Sequence, residues 1–510
     1  MDLSILIYLY GVLKVFILCF SFHVIYKYVL KPYWLVRFYR TQGGVGFYGF
    51  GADYLLKNQE HAVKDKDWYF WYKELLKRNP DIKYFIRNFG SQPLLTLVEP
   101  SLVEQFLNSI ETYQKDPFVT ALFQKLCPGS TLFSNDYNTS HKKRILSLAF
   151  QDQFLKKYIG SAITTSLKQF SFWATEELTD FPIIEGFSNI VGENIGRFFF
   201  GEQFSNKSFF GVPLAIIVKN WLREVMSTSY SISYFTFGAW FLDLGIFQSH
   251  RELKSERNRI FQACEQLLEN APNQPDYKQT ILSVINEARS QDPKLYTDQE
   301  VIGEFLNLFA ISVDSTATLL GMTVYYLSRN PKAMYKVKQE VNNLLQSSEI
   351  TLDSLNKMEY LTCVLKEALR LSPPIGGLFH RVATKDHYLG QIKIKKDTLV
   401  TIYPAILHTS EACYPNASEF YPERWLDPTQ ANNEKNKQRF ACFLPFSTGP
   451  RACNAQQLTL MISKLILALF INNFKFSIEK EYDLKMTQRF FYGPLETLEC
   501  KLSYLNEEKE

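Results

Sequence analysis

The segment FSTGPRACNAQQ places one cysteine, Cys453, behind a glycine, a proline and an arginine. Phe446 can shield a sulfur atom from water, Gly449 permits a close backbone approach or a positive φ, and Arg451 supplies a cation. Cys453 also precedes the amphipathic, helix-like run AQQLTLMISKLILALF, whose N-terminal dipole would lower the pKa of the thiol. These features suit Cys453 to bind a metal, and the alternative for any single cysteine is a small buried apolar side chain.

Glu367 is the centre of a second candidate group, because arginines occur at spacings that could reach it. In KEALRLSPP, Glu367 and Arg370 lie three residues apart on one helical face, a pair that is also common on solvated helices. Arg424, in FYPERW, stands among aromatic residues and proline, which indicates a partly buried guanidinium that needs a carboxylate. Glu367 is the candidate carboxylate for Arg424, and the residues alone leave the solvated pair as an alternative.

The stretch 312–318 places five Ser, Thr or Asp side chains inside a long apolar helical pattern. The pattern begins at a capping box formed by Thr297 and Glu300, and it ends before an Asn-Pro pair. Because hydroxyls that bond to carbonyls can open a helix, the stretch predicts a local opening that holds water. Asp314 as an acid and Ser315 as an alcohol would then form a proton relay. The alternative is a stripe of satisfied hydroxyls packed against a neighbour.

A mostly helical domain must position these residues. Beyond residue 40 the chain has no Pro/Ser/Gly linker, low-complexity tract or internal repeat, so we expect one large domain at 46–510. The run QIKIKKDTLVTI predicts two strands on either side of a turn near Asp397. The expected fold class is therefore mainly α with small β-sheets.

The N-terminal segment 3–25 is apolar enough to span a membrane. As a helix it would extend about 34 Å, against about 30 Å for a bilayer core. The lysines and arginines that follow it place the bulk of the chain in the cytosol by the positive-inside rule. We therefore expect a transmembrane anchor at 1–30 and, after Pro32 breaks the helix, a linker at 31–45. Because Lys14 is costly inside a bilayer, a buried or interfacial helix is the alternative.

Composition excludes two classes of function. The net charge of +4 over 510 residues argues against a nucleic-acid binder, which would need many phosphate contacts. The eight cysteines form no CxxC pair, so a structural zinc site is not supported. They are also too scattered for a disulfide framework, which favours a reducing compartment.

Together these motifs resemble those of the cytochrome P-450 family of haem-thiolate proteins. The cysteine run is similar to the family pattern F-x-x-G-x-R-x-C-x-G, and Glu367 with Arg370 matches its E-x-x-R. The PERW run that contains Arg424 matches the family's P-E-R-[FW]. Asp314 and Ser315 resemble the acid–alcohol pair of its long central helix, and the N-terminal anchor is similar to that of microsomal members.

The resemblance implies a role for each candidate residue. Cys453 would be the axial iron ligand of haem b, and Arg451 and Arg381 would bind its propionates. Asp314 and Ser315 would deliver protons during dioxygen activation. The remaining positions would lie around the haem (Lys143, Phe446, Gly449 and Ala455) or form a structural triad behind it (Glu367, Arg370 and Arg424).

Four positions depart from the family pattern. Ala455 stands where the pattern has glycine, so its methyl group would lie close to the porphyrin. Ser315 replaces the usual threonine and keeps the hydroxyl. In the family's W-x-x-x-R, Thr139 replaces the tryptophan and Lys143 replaces the arginine, which removes the indole donor and leaves Lys143 to reach a propionate.

The resemblance also implies partners: a lipophilic small-molecule substrate that enters from the lipid bilayer, dioxygen, and a membrane flavoprotein reductase. The chain shows no glycine-rich phosphate-binding motif and no iron–sulfur cysteine set, which is why a separate electron donor is expected. Basic residues could dock that donor, or merely form a solvated surface: Lys142, Lys143, Lys435, Lys437 and Arg439. The aromatic run 230–247 resembles a substrate roof that dips into lipid, with core packing as the alternative. The implied location is the endoplasmic reticulum membrane, with one span and a cytosolic catalytic domain.

Three functions stay open on these residues. The first is a monooxygenase that inserts one oxygen atom into a lipophilic substrate. The second is a haem-thiolate isomerase or dehydratase that rearranges a peroxide without a reductase, and the retained pair Asp314 and Ser315 counts against it. The third is a non-catalytic haem-binding protein, which the departures at Thr139 and Ala455 keep open.

Overall fold

The computed structural model describes the chain at residues 3–46, 60–89, 92–135, 138–174, 178–229, 231, 234, 238–347, 349–378, 380–426 and 441–505. Its α-helices are α1 Leu3–Ile25, α2 Lys31–Arg40, α3 Phe70–Arg78, α4 Pro100–Asn108, α5 Pro117–Leu126, α6 Thr139–Leu148, α7 Asp152–Trp173, α8 Ile183–Phe200, α9 Leu214–Ser229, α10 Gln248–Asn270, α11 Ile281–Gln291, α12 Asp298–Arg329, α13 Pro331–Ser347, α14 Leu352–Asn356, α15 Glu359–Leu371, α16 Pro404–Leu407 and α17 Gln456–Asn473. Its β-strands are β1 Val45–Gly46, β2 Tyr84–Phe89, β3 Gln92–Leu97, β4 Tyr113–Lys115, β5 Leu178–Pro182, β6 Ser208–Phe209, β7 Val212–Pro213, β8 Arg381–Ala383, β9 His387–Leu389, β10 Ile392–Ile394, β11 Leu399–Ile402, β12 Phe474–Ser477, β13 Met486–Gln488, β14 Tyr492–Pro494 and β15 Glu499–Tyr504. The predicted fold class, mainly α with small β-sheets, is confirmed.

The long helix α12 crosses the core and packs against α8, α9, α10, α15 and α17. It begins at the predicted capping box, in which the Thr297 side chain accepts from the backbone N–H of Glu300 and the Glu300 side chain accepts from that of Thr297. It remains α-helical to Arg329, as the apolar period predicts. The expected local opening is not present in 312–318, since the helix continues through that stretch without interruption.

A six-stranded sheet positions the residues on one side of the candidate site. Its order is β1-β2-β3-β11-β8-β4, with β11 parallel to β3 and antiparallel to β8. The two predicted strands β10 and β11 form, and Asp397 takes a positive φ of 66° in the turn between them. They belong to different sheets, because β10 pairs with β9. At the edge, β4 pairs with β8 so that Lys115 lies opposite Arg381.

The segment that follows the expected anchor differs from the expected linker. After α1, a π-helical turn at Tyr26–Leu30 leads directly into α2, so helical structure continues across Pro32. The π-helical turn accommodates the proline, because it already replaces the regular i→i−4 bonding before Pro32: the Lys31 N–H donates to the carbonyl of Tyr26, five residues back. The residues expected to form a linker, 31–45, are also structured: α2 packs against β2 and β3, and Tyr39 is fully buried.

Apolar side chains cover the exposed surface of α1, as shown by Phe16 at 65% exposure and Leu18 at 70%. Within the described residues, the helix that meets the length and hydropathy of a membrane span is α12, which is mostly buried in the core. The part of α1 with described side chains, Tyr10–Ile25, is apolar but shorter than a span. The transmembrane anchor therefore stays a prediction.

One disulfide joins two segments near the candidate site. Cys413 and Cys442 form it, with their Cα atoms 6.4 Å apart and a sequence separation of 29. Nothing in the sequence indicates this pairing, and a disulfide runs against the reducing compartment that the scattered cysteines favour. Tyr414, Ala417, Trp425 and Phe443 pack around the pair in a small apolar cluster.

Candidate functional site

The loop before Cys453 holds the thiol at the start of α17. The backbone N–H of Cys453 donates to the carbonyl of Phe446 over 2.9 Å, which closes the loop. Gly449 has a φ of 75°, and a Cβ there would lie 2.8 Å from Asn108 Oδ1 and 3.0 Å from the carbonyl of Leu107. Both conformation and space therefore require glycine at this position, as the sequence indicates.

The Cys453 side chain is accessible to solvent although protein surrounds it, as expected for a residue that lines an internal cleft. Burial raises the pKa of Cys453, while the backbone N–H of Ala455 and the charge of Lys143 lower it. Ala455 is the N-cap residue of α17. A thiolate here would have an N–H donor and a cation beside it, which suits it to bind a metal ion. The helix α17 is buried on nearly all sides, so its expected amphipathic character is wrong.

Four cations lie close to this cysteine and form what we call the cation cluster: Lys115, Lys143, Arg381 and Arg451. Lys143 Nζ donates to the carbonyls of Pro450 and Ala452, each over 2.8 Å. Lys115 Nζ donates to the carbonyls of Thr131 (2.6 Å) and Ser134 (2.7 Å).

The two arginines of the cation cluster also bind backbone carbonyls. Arg451 Nη2 donates to the carbonyl of Tyr113 over 2.9 Å, and Arg381 Nη1 donates to that of Phe106 over 3.2 Å. In the described part of the chain, no carboxylate forms an ion pair with any member of the cluster. The cluster therefore places several positive charges together without a paired carboxylate among the described residues, although the charge of Glu304 acts on Lys115.

Burial lowers the pKa of every member of the cation cluster, and repulsion by the other cations lowers it further for Lys115, Lys143 and Arg381. Burial, Arg451 and Lys143 together lower the pKa of Lys115 to about 7. Burial and Arg451 lower the pKa of Arg381 to about 10. Burial also lowers the pKa of Lys143 and of Arg451, and the charge of Cys453 partly offsets this effect for Lys143. An anion bound in the cluster would stabilise the charged forms of these side chains and raise their pKa values again.

Buried polar atoms in this region lack hydrogen-bond partners among the described residues, and they include the donors Arg451 Nη1 and Thr139 Oγ1. Buried donors without partners are rare in folded proteins and indicate a missing ligand or water. The unpaired donors and the cluster fit the two carboxylates of a haem, and Cys453 fits its iron. Lys115 and the Thr139 hydroxyl were missed by sequence reasoning, because only the pairing of β4 with β8 brings Lys115 to Arg381.

Glu367 lies at the centre of the carboxylate triad, which consists of Glu367, Arg370 and Arg424. Arg370 donates to both carboxylate oxygens, from Nη2 over 2.8 Å and from Nε over 3.0 Å. Arg424 Nε donates to Oε1 over 2.9 Å. Trp425 Nε1 and the backbone N–H of Tyr421 complete the shell of Glu367 at 2.9 and 3.0 Å.

The arginines of the triad direct their other N–H groups to backbone carbonyls. The acceptors are the carbonyls of His408, Ala417, Glu419, Pro415 and Asn416. The Glu367 and Arg370 side chains are fully buried, so the solvated pair considered from the sequence is excluded. The triad thus fixes the segment 415–424 against α15.

His408 extends this network toward the cysteine loop. Its Nε2 accepts from the backbone N–H of Leu444 over 2.8 Å, and its Nδ1–H donates to the carbonyl of Leu369. Burial and the charge of Arg370 lower the pKa of His408 to about 3, so its ring is neutral at physiological pH. Leu444 lies two residues before Phe446, which makes His408 a bridge between α15 and the loop. Sequence reasoning missed this histidine.

Asp314 and Ser315 do not contact each other through their side chains. Arg223, from α9, donates to both oxygens of Asp314, at 2.7 Å from Nη2 and 3.0 Å from Nε. The Ser188 hydroxyl adds a longer contact of 3.3 Å to Asp314. The Ser315 hydroxyl donates back to the carbonyl of Ile311 in its own helix. Arg223 was not singled out from the sequence, because nothing local connects it with Asp314.

A second acidic residue joins this network. Glu185, from α8, accepts from Arg223 Nη1 over 3.0 Å and from Lys219 Nζ over 2.5 Å. Burial alone would raise the pKa of Glu185, but the hydrogen bond from Lys219 and the charge of Arg223 lower it below its ordinary value. The Arg223 guanidinium therefore bridges two carboxylates on different helices.

Several other expectations about the site change. Lys142 is buried and donates to Glu300 over 2.8 Å, so it cannot serve as a surface cation. Lys435, Lys437 and Arg439 lie outside the described residues.

The aromatic run 230–247 lies partly outside the described residues. Its described part contains the 3₁₀ helix Ala239–Leu244, in which Trp240 is 58% exposed and Leu244 is 54% exposed. Ile246 and Phe247 follow with similar exposure. Large apolar side chains grouped at a surface indicate contact with a membrane or a partner.

Comparison with known proteins agrees with the site. A family model described as cytochrome P-450 matches residues 82–499, which is more than four fifths of the chain. The 11-oxo-beta-amyrin 30-oxidase of Glycyrrhiza uralensis is 24% identical over 411 residues, covering 77% of this chain and 75% of the relative. The cytokinin hydroxylase of Arabidopsis thaliana is 25% identical over 425 residues, covering 81% and 78%.

Solved structures share the fold. The crystal structure of the cytochrome P450DA haem domain superposes with a TM-score of 0.73 at 20% identity, covering 88% of this chain and 95% of that chain. With the cysteine loop, the cation cluster and the family match in agreement, this chain belongs to the cytochrome P-450 family of haem-thiolate monooxygenases, whose cofactor is haem b.

Proposed function

We propose that this protein is a membrane-anchored monooxygenase that inserts one oxygen atom of dioxygen into a lipophilic small molecule, with electrons from a separate membrane flavoprotein reductase. The single observation that carries the proposal is the cation cluster beside Cys453, where the described residues form no ion pair with the buried positive charges and leave an Arg451 nitrogen without a hydrogen-bond partner. Haem b would supply dioxygen activation at its iron. The other steps depend on how the chain holds that cofactor and moves protons.

The binding roles follow from contacts around the cysteine. The Cys453 thiolate would ligate the iron, supported by the N–H of Ala455 and shielded by Phe446. Arg381, Arg451, Lys143 and Lys115 would bind the propionates, and the Thr139 hydroxyl would add a neutral donor. Gly449 keeps the loop tight, and the carboxylate triad with His408 fixes the backbone behind it.

Proton delivery would depend on Asp314 and Ser315. Asp314 binds Arg223, so it must exchange that contact for water before its carboxyl can pass a proton inward. Ser315 donates to the Ile311 carbonyl and would need to rotate away to accept a proton from the relay. Arg223 therefore links proton supply to the position of α9.

Membrane attachment is supported by the apolar surfaces. The N-terminal anchor at 1–30 would cross the endoplasmic reticulum membrane once and leave the domain 46–510 in the cytosol. The exposed side chains of α1 and the apolar group at Trp240, Leu244, Ile246 and Phe247 would both face lipid. A lipophilic substrate could then enter from the bilayer. The relatives named an oxidase and a hydroxylase are consistent with oxidation of small organic molecules.

The test is turnover with isotope-labelled dioxygen. The full-length protein, in vesicles with a flavoprotein reductase and NADPH, is incubated with a library of lipophilic compounds. The expected result is a product that carries one labelled oxygen atom and forms only when the electron donor is present. Turnover of an organic hydroperoxide without any donor would instead identify an isomerase or dehydratase. Absence of both activities in haem-loaded protein would identify a non-catalytic haem-binding protein.

A further inference from the structure

A buried carboxylate near the cation cluster has one oxygen that the described residues leave unpaired. Asp116 is the N-cap residue of α5, and its Oδ1 accepts from the backbone N–H of Phe118 over 3.0 Å. The side chain is only 4% exposed, and its Oδ2 has no hydrogen-bond partner among the described residues. A buried carboxylate oxygen without a donor is costly, so it indicates a ligand atom.

The imidazole of His380 faces this oxygen across a gap. His380 Nδ1 lies 3.8 Å from Asp116 Oδ2, and it too is buried without a hydrogen-bond partner in the part of the chain described here. That distance is too long for a direct hydrogen bond, but one oxygen atom can bridge the two. The backbone fixes the gap, because the N–H of Asp116 donates to the carbonyl of His380 over 3.2 Å.

The position of this pair is next to the proposed cofactor site. Asp116 follows Lys115 and His380 precedes Arg381, and those two cations lie opposite each other on β4 and β8. The His380 side chain is 15% exposed, so one edge of its ring is accessible. The pair therefore borders the cleft in which a substrate would lie.

Aromatic side chains form an apolar wall beside the pair. The Phe89 ring lies 4.7 Å from that of His380, edge to face. The Phe118 ring lies 6.5 Å from that of Phe89 and 4.9 Å from that of Tyr234. A molecule bound here would therefore have an apolar body and one polar group at its end.

We propose that Asp116 and His380 form the polar end of the substrate pocket and select lipophilic molecules that carry a hydroxyl group. A hydroxyl can donate to Asp116 Oδ2 and accept from His380 Nδ1–H at the same time. An ether or ketone cannot donate, and an ammonium cannot accept. The inference rests on the proposed function, because it assigns a substrate class to the same pocket.

The local charges favour a neutral ligand. Burial lowers the pKa of His380, as does the nearby charge of Arg87, and Asp116 only partly offsets this shift, which favours the neutral imidazole. A neutral hydroxyl completes both hydrogen bonds without adding charge, whereas an ammonium would leave the His380 Nδ1–H without an acceptor.

The experiment measures binding rather than turnover. Linear dodecyl, cyclododecyl and tetracyclic steroid skeletons are each tested as the alcohol, the methyl ether and the ketone, and as an amine, by spin-state titration of the haem-loaded protein without electron donor. We expect at least one alcohol to bind about tenfold more tightly than its ether and ketone, since hydrogen bonds to a charged group are the stronger kind.

Three variants separate recognition from folding. Asp116→Asn keeps an N-cap oxygen but replaces the accepting Oδ2 by a donor, so it should lose the preference for the alcohol. His380→Leu should also lose it, whereas His380→Asn, which places an amide N–H near the position of Nδ1, should retain most of it. The surface variant Asp353→Asn is the control and should bind like the wild type.

The outcomes distinguish this inference from the proposed function. Failure to bind haem overturns the proposed function itself. Normal haem binding with equal affinities for alcohol and ether, a preference for the amine, or no binding of any alcohol overturns the inference alone. A preference that persists in Asp116→Asn also overturns it, since a water molecule would then be the bridge.

Discussion

The carboxylate triad and the cation cluster both hold buried charges around the cysteine loop, but their charges are balanced differently. In the triad, the charges of Glu367, Arg370 and Arg424 are matched, and each donor found there has an acceptor. In the cation cluster, the charges have one sign, and Arg451 Nη1 has no hydrogen-bond partner among the described residues.

This difference separates a structural site from a ligand site. A buried charge network that is complete within the chain stabilises the fold and has nothing left to offer a ligand. A network that is incomplete within the chain has unused donors and is stabilised when an anion arrives. Removing one charge from the triad should therefore lower the stability of the fold. Removing one charge from the cation cluster should weaken ligand binding and leave the stability of the fold nearly unchanged.

The largest effect is expected from Glu367→Ala, which leaves Arg370 and Arg424 buried without a carboxylate. Loss of one partner of a buried pair costs about 3–5 kcal/mol, a large part of the stability of a domain. We expect little soluble protein and a strongly lowered unfolding temperature. Glu359→Ala, an exposed residue on the same helix, is the control. An unchanged melting temperature in Glu367→Ala would remove the distinction between the two regions.

In the cation cluster, Lys115→Met should weaken the cofactor site and spare the fold. The variant loses hydrogen bonds to two carbonyls but also loses a buried charge that Arg451 and Lys143 repel. These terms offset each other, so the stability of the haem-free protein should change by about 1 kcal/mol or less. Haem transfer to apomyoglobin should become about tenfold faster. Equal transfer rates in Lys115→Met and in the exposed control Lys157→Met would contradict the assignment of Lys115.

The same lysine predicts a pH dependence. On folding, the pKa of Lys115 falls from its ordinary value of 10.5 to about 7, so between these values the unfolded chain binds the extra proton. The stability of the haem-free protein should therefore rise as the pH rises from 7 toward 10. Urea unfolding at pH 7 and pH 9 measures this rise, which should be smaller in Lys115→Met. Parallel pH curves for wild type and variant would show that Lys115 is not perturbed.

A smaller effect on stability is expected at Asp314, whose partner Arg223 is partly exposed. Because exposed ion pairs contribute about 1 kcal/mol or less, Asp314→Asn should change the unfolding temperature only slightly. Donor-dependent turnover should nevertheless fall by about 100-fold and show a larger solvent isotope effect, since the carboxyl proton is lost. Asp243→Asn, which also breaks an exposed ion pair, is the control. Normal turnover in Asp314→Asn would remove Asp314 from the relay.

Local features of the sequence predict much of the fold. The capping box at Thr297, the helix end at Arg329 and the strand Leu399–Ile402 depend on residues near one another in the chain, and all three are found. The need for glycine at position 449 can also be predicted from the sequence, because its positive φ and close packing belong to a loop of a few residues.

Contacts between residues far apart in the sequence cannot be predicted from local features in the same way. Lys115 reaches the cation cluster only through the pairing of β4 with β8, which joins residues far apart in sequence. Arg223 reaches Asp314 because α9 packs on α12, and Cys413 finds Cys442 across a separation of 29 residues. The predicted helix break at Pro32 is wrong for a local reason, since a π-helical turn before the proline changes the backbone hydrogen bonding.

The central claim is that Cys453 and the cation cluster together hold a haem through its iron and its propionates. The most direct test is the difference spectrum of the reduced protein with and without carbon monoxide, for wild type, Cys453→Ser and the control Cys19→Ser. We predict the red-shifted Soret band of a thiolate-ligated haem in wild type and Cys19→Ser, and its loss in Cys453→Ser. An unaltered band in Cys453→Ser, or no haem absorption in the wild-type protein, would contradict the account.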